Sequence, residues 1–246
     1  MSASEAKLAT IRKLLAQAED AAASPAEAET FTAKAAELMA RYGVDRAMLA
    51  DGDETVDAIA DRVIDLDPPY ALDKIGLLSG IARALGLQVV QRTGFGARGK
   101  ELSALLFGYS SDIERTEILF TSLLVQAARG LAAARVPARE NKAAYRRAWL
   151  AGFSATVHVR LADAEYRARA EATATASTSA TGRSAELVLA DRQRTVDQRF
   201  AEAFPKLRSA PRRVLTGSGH GAGVAAGARA DLGGAALGSR RRALGG

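Results

Sequence analysis

Apolar residues return every three or four positions over most of this chain, and that spacing commits it to helices. In the first 50 residues, Leu8, Ile11, Leu14, Leu15 and Ala18 form one stripe, and Ala28, Phe31, Ala35, Leu38 and Tyr42 form a second. Between the stripes, Ser24-Pro25-Ala26-Glu27 has the form of a helix start. Ser24 caps, Pro25 suits the first helical position, and Glu27 returns a bond to the cap. Gly43 holds the place of a left-handed stop, and Asp45 that of a cap for one further turn to Leu49. The pattern predicts an αα-hairpin over residues 1–50, with Leu14, Phe31 and Leu38 buried.

The following segment, 51–61, is acidic and reads as a solvated linker. From Arg62 to Asp67 the residues alternate as in a strand, which Pro68-Pro69 ends. A helix is expected over 71–85, stopped by Gly86. Leu87–Arg92 and Leu102–Phe107 read as strands of a hairpin around the glycine-rich loop 93–100. Ser111 with Glu114 has capping-box spacing and opens a helix that Val136-Pro137 closes. A longer helix spans about 140–171, with Tyr145, Trp149, Gly152 and Phe153 on one face. The Ala/Ser/Thr tract at about 172–183 reads as a flexible insert, Glu186–Ala190 as a strand and 191–204 as a helix. The whole predicts an α+β protein: a helical hairpin, then a small, mainly antiparallel sheet packed with long helices over 62–207, then a flexible, Gly/Arg-rich basic tail over 208–246.

Composition narrows the chemistry. The 246 residues include no Cys, which excludes a disulfide framework, a thiolate metal site and a thiol nucleophile. No apolar run approaches the ~18–20 residues of a membrane span, and a cytoplasmic location is expected. Charge is strongly polarised. Residues 1–67 carry 7 Lys/Arg against 14 Asp/Glu, while 137–246 carry 19 against 9. An anionic partner for the basic end would account for that layout, as would an arginine-rich genomic bias.

His158 falls opposite Trp149 on its helix and is expected to be exposed and metal-free. His220 lies in Gly217-Ser218-Gly219-His220-Gly221-Ala222-Gly223, which resembles a phosphate cradle only weakly. It has no Lys-Ser/Thr after its glycines, and Gly219, Gly223 and Gly227 equally suit close helix packing. No metal, cofactor or catalytic residue is predicted. The basic clusters Arg146-Arg147, Arg192 with Arg194, Arg212-Arg213 and Arg240-Arg241-Arg242 carry the hypothesis of DNA or RNA binding, because guanidinium forks match phosphate. Asp112, Arg115, Gln126 and Tyr145 are the candidate lining of a pocket.

Three stretches, Ile11–Ala18, Glu27–Glu29 and Lys34–Gly43, resemble the bacterial and phage family called domain of unknown function 2786. Phe107–Asp112, Phe120–Ala127, Tyr145–Phe153 and Phe204–Arg208 are similar to the larger domain that commonly follows it. The resemblance implies an actinobacterial or phage-type source and carries no activity or catalytic residue. The reading favoured is a non-catalytic, nucleic-acid-associated binding protein. The alternatives are an enzyme acting on a phosphate-bearing substrate and a protein-interaction module working through the acidic hairpin.

Overall fold

The computed structural model describes residues 3–18, 25–96, 99–175, 177–209 and 213–230. Seven helices and three strands are formed among them, in the order α1 (Ala3–Ala18), α2 (Pro25–Leu49), β1 (Ile59–Asp65), α3 (Ala71–Ala84), β2 (Gln88–Gly96), β3 (Gly99–Tyr109), α4 (Ser110–Ala133), α5 (Lys142–Ala174), α6 (Ala185–Ala203) and α7 (His220–Arg229). The expected α+β class is found.

β3 is central, with β1 and β2 antiparallel on either side of it. Alternation along β3 sends Ala104 and Leu106 to one face and Leu105 and Phe107 to the other. The first pair joins the main core with Leu78 and Ile81 of α3, Leu119 and Leu123 of α4, and Trp149 and Phe153 of α5. The second pair meets Val196, Phe200 and Phe204 of the α6 segment, where Phe107 lies 5.6 Å from Phe200 and edge-on to Phe204. The sheet is thus a middle layer with helices on both sides. At the end of α3, Gly86 adopts φ +85°, and Leu87 N–H bonds back to Ala82. This is the left-handed stop that the sequence predicts.

The hairpin packs as a hairpin, but its second helix does not stop at Gly43. α2 continues to Leu49 because it has two faces to bury. Ala35, Met39 and Tyr42 enter the main core, while Ala40, Val44, Ala47 and Met48 pack on Ala164 and Ala168 of α5 and Ala185 and Val188 of α6. Burial of Val44 and Met48, about 1.5–3 kcal/mol each, outweighs the ~1 kcal/mol helix penalty of one glycine. The expected stripes are buried at Leu8, Ile11, Ala35 and Tyr42. Leu15 and Met39 are buried, whereas Leu14 and Leu38 are half-buried. Ser24 and the side chain of Phe31 lie outside the described residues.

Other expectations change for equally local reasons. Asn141 caps α5 by accepting from Ala143 and Ala144 N–H at 2.9 and 3.0 Å. α5 itself runs on to Ala174, into the segment expected to be a flexible insert. Glu186–Ala190 is the start of α6 rather than a strand. His158 is half-buried, not exposed, with Nδ1 2.8 Å from the Gly80 carbonyl of α3, because α5 is covered on more than one side.

Part of the expected tail is a helix. α7 packs closely on α5 through glycines, since a Cβ at Gly223 or Gly227 would run into the backbone of Trp149 or Phe153, and one at Gly152 into that of His220. The glycines that hinted at a phosphate cradle serve helix contact, so the backbone of 219–227 faces protein. Residues 210–212 and 231–246, including Arg212, Arg240, Arg241 and Arg242, lie outside the described residues.

Candidate functional site

Where β3 hands over to α4, four elements distant in sequence bring their charges together. Arg115 on the first turns of α4 is only 2% exposed. Its Nη1 donates to Asp112 at 2.7 Å and its Nη2 to the buried Glu165 of α5. Arg192 of α6 donates to Asp57 at 2.7 Å and Asp112 at 3.3 Å, and its guanidinium lies 3.5 Å from the centre of the Tyr109 ring. Asp112 therefore bridges the two arginines. Gly43 of α2 completes the arrangement. The Arg115 guanidinium lies directly on its bare backbone, in space that a Cβ would occupy.

Asp57 also replaces the capping box expected from Ser111 and Glu114. It accepts from Ser111 N–H at 3.0 Å, from Ser111 Oγ at 2.6 Å and from Ser110 Oγ at 3.0 Å. A carboxylate brought from over 50 residues away thus satisfies one free N–H group of the α4 N-terminus and complements its dipole. Asp57 is 3% exposed and Asp51 accepts from Ser179 and Thr181, so the acidic segment is tied down at these two residues while 52–55 stay exposed. It is folded against α4 and α6.

Burial opposes ionisation of Asp57, yet the Ser111 hydrogen bonds and the Arg192 charge outweigh it and hold the carboxyl below its ordinary range. Burial pushes the Glu165 carboxyl up, against the charge of Arg115. The two act in opposite senses on stability. A depressed folded-state pKa gives Asp57 a contribution that is complete above about pH 4 and is lost as pH falls through the folded value. A raised one makes acid favour the folded state at Glu165. The acid-labile part is isolated by Asp57→Asn. The variant is expected to be less stable than wild type at pH 7, by about 1.5–3 kcal/mol, and the gap should narrow only as pH falls below about 4. Thermal unfolding of both proteins across that range checks it.

Only a narrow cleft of about 30 Å³ opens at the cluster, and its carboxylates and guanidinium groups face one another. Chemically it is a clasp that fastens α2 and the 51–58 segment to α4, α5 and α6. Of the candidate pocket residues, Asp112 and Arg115 meet here. Gln126 lies further along α4 with its amide 3.4 Å from Ser122 Oγ, and Tyr145 is buried near the start of α5. Glu165 was missed because no local pattern marks it, and Gly43 was read as a helix stop rather than as a contact.

The arginines named from sequence are dispersed. Arg192 is turned inward. Arg194 is 78% exposed and pairs with Asp191; Arg213 pairs with Asp73 at 2.9 Å. Arg147 is exposed near that pair, and Arg146 is half-buried in a separate cleft. A different element projects. β1 ends at Asp65, opposite Ser103, but β2 and β3 go on pairing through Thr93–Leu102, Gly94–Glu101, Phe95–Lys100 and Gly96–Gly99. At ~3.3 Å per residue this is an arm of roughly 13 Å. Arg92, Thr93 and Gly94 are exposed on it, Phe95 is 84% exposed, and Arg92 has no carboxylate partner among the described residues. The glycine-rich run expected to be loop is mostly strand.

Among the described residues, no group of three or more His, Asp or Glu side chains is placed to hold a metal ion, and no helix is long and apolar enough to cross a membrane. Fold and clasp define the class: an α+β protein whose N-terminal helical hairpin packs against a sheet-and-helix body. A family model described as a protein of unknown function, DUF2786, matches residues 6–46, which are the hairpin up to the turn after Gly43. No curated protein and no solved structure matches the chain.

Proposed function

We propose that this is a non-catalytic, nucleic-acid-associated binding protein of the cytoplasm, and that its contact element is the β2–β3 arm. The hairpin's family match carries no activity. The similarity of the body to the companion domain of actinobacterial and phage proteins belongs to the same proposal.

One observation carries the reading: Phe95 stands 84% exposed near the tip of a two-stranded ribbon, three residues after an exposed Arg92 that has no carboxylate partner among the described residues. An aromatic ring in water costs free energy that a stacked base recovers, and stacking tolerates any base because each has a π-face. A two-stranded ribbon is also narrow enough to enter a duplex major groove. Arg92 and the sequence neighbours Arg98 and Lys100 supply charge for the phosphates.

Fluorescence anisotropy with single-stranded and duplex oligonucleotides, each at two salt concentrations, tests the proposal. Affinity is expected to fall steeply with salt. Phe95→Ala should weaken single-strand binding by about 1–3 kcal/mol, roughly 5–150-fold, and leave the salt slope unchanged. Arg92→Ala should flatten the slope by about one unit. No binding by the wild-type protein at low salt would sink the reading and leave the arginines to compositional bias.

A further inference from the structure

A cleft of about 310 Å³ opens between the start of α3, the second half of α4 and the first turns of α5. Its walls are aliphatic, built chiefly from Leu124, Ala128 and Leu131 of α4 and Leu150 of α5. Two cations stand in it, Lys74 and Arg146, and no carboxylate lines it. Both are half-buried. Lys74 Nζ donates to the Asp67 carbonyl at 2.8 Å, Arg146 Nε is buried without a hydrogen-bond partner, and neither cation has an ion pair among the described residues. Tyr70 at the mouth is held at φ +64°, which a bulky residue rarely adopts.

Charge taken out of water is ordinarily paired, as at the buried Arg115 and Arg192, each of which has a carboxylate. Two unpaired cations against an aliphatic wall call for a ligand that is an anion at one end and a hydrocarbon along the rest. The volume is in the range of small-molecule sites, roughly 300–1,000 Å³. An arginine fork matches a carboxylate in plane, with the lysine as a second point charge. We infer that this cleft binds an aliphatic monocarboxylate, with the carboxylate between Arg146 and Lys74 and the chain along Leu124, Leu131 and Leu150. The site is separate from the β2–β3 arm and does not depend on nucleic-acid binding.

Decanoate is the probe, titrated into the full chain by calorimetry, with the emission of Trp149 followed in parallel. Trp149 is the single tryptophan, and its ring packs on Gly130, beside Leu131. One-to-one binding with a Kd of about 100 μM or tighter is expected, with decanol at least about tenfold weaker because it lacks the charge-assisted bonds. Arg146→Gln and Lys74→Gln should each weaken decanoate about tenfold and leave decanol unchanged. Leu131→Trp, which fills the cleft without touching either cation, should abolish binding of both. Equal affinity for decanoate and decanol, no loss in Arg146→Gln, persistent binding in Leu131→Trp, or no binding at millimolar decanoate would each overturn the assignment. Circular dichroism of each variant establishes that it is folded, and should Arg146→Gln fail to fold, Lys74→Gln and Leu131→Trp still decide.

Discussion

Replacing Arg115 with Met is expected to cost about 3–5 kcal/mol of stability, the penalty for breaking a buried ion pair from one side. The methionine fills much of the same volume, but Glu165 is left as a buried carboxylate without its hydrogen-bonded cation, with only the charge of Arg169 nearby, and Asp112 keeps only Arg192. At roughly 2–4 °C per kcal/mol for a chain of this size, the midpoint should fall by about 6–20 °C. Adding Glu165→Leu to the same protein should restore a large part of the loss, because an apolar pair of similar volume removes the desolvation penalty together with the charge. Urea denaturation of the single and double variants measures both. If the double variant is no more stable than Arg115→Met, the cost lies in packing rather than in the orphaned carboxylate.

Gly43→Ala should destabilise the wild-type protein and stabilise the Arg115→Met protein. A Cβ at Gly43 overlaps the Arg115 guanidinium, which cannot swing aside while it is fully buried and held by Asp112 and Glu165. Forcing it to move is expected to cost about 1–3 kcal/mol. With the guanidinium gone the overlap goes too, and what remains is the intrinsic advantage of Ala over Gly inside a helix, up to about 1 kcal/mol. The change of sign makes this a double-mutant cycle with a coupling well outside the additive range. Additive behaviour would show that Gly43 and Arg115 are independent and that Gly43 has some other reason to be glycine.

Gly43 also marks where reading from sequence stops working. A glycine after an amphipathic stripe fits a helix stop and a close-packing position equally well, and the difference lies in a guanidinium 72 residues away. Gly86 was legible because its whole reason is local: it turns the chain with positive φ and bonds Leu87 back to Ala82. Ser111 shows the contrast within a single residue. The spacing to Glu114 fits a capping box, yet Asp57 arrives through the fold and takes the hydroxyl and the N–H together. A long-range carboxylate satisfies two donors at once, and no local window contains it.

The candidate site divides in the same way. Asp112 and Arg115 were named from sequence as pocket lining, and the structure pairs them three apart on one helix face. Arg192 was visible only as a basic residue, and its partners reverse its meaning from a surface for phosphate to a buried strut. Phe95 was hidden because glycine on both sides reads as loop. Pairing across β3 supplies the hydrogen bonds that make it a strand and hold the ring out in solvent.

By itself the sequence determined what depends on near neighbours: helices from a 3.6-residue period, the chain reversal after Gly86, the class of α+β protein, and the absence of any thiol chemistry. Tertiary structure alone decided which faces α2 buries, which glycines are contacts between helices, and which charges cancel one another. Those outcomes depend on groups more than 50 residues apart. Their energies exist only after the chain has brought them within about 4 Å, where burial strengthens each pairing and penalises each omission.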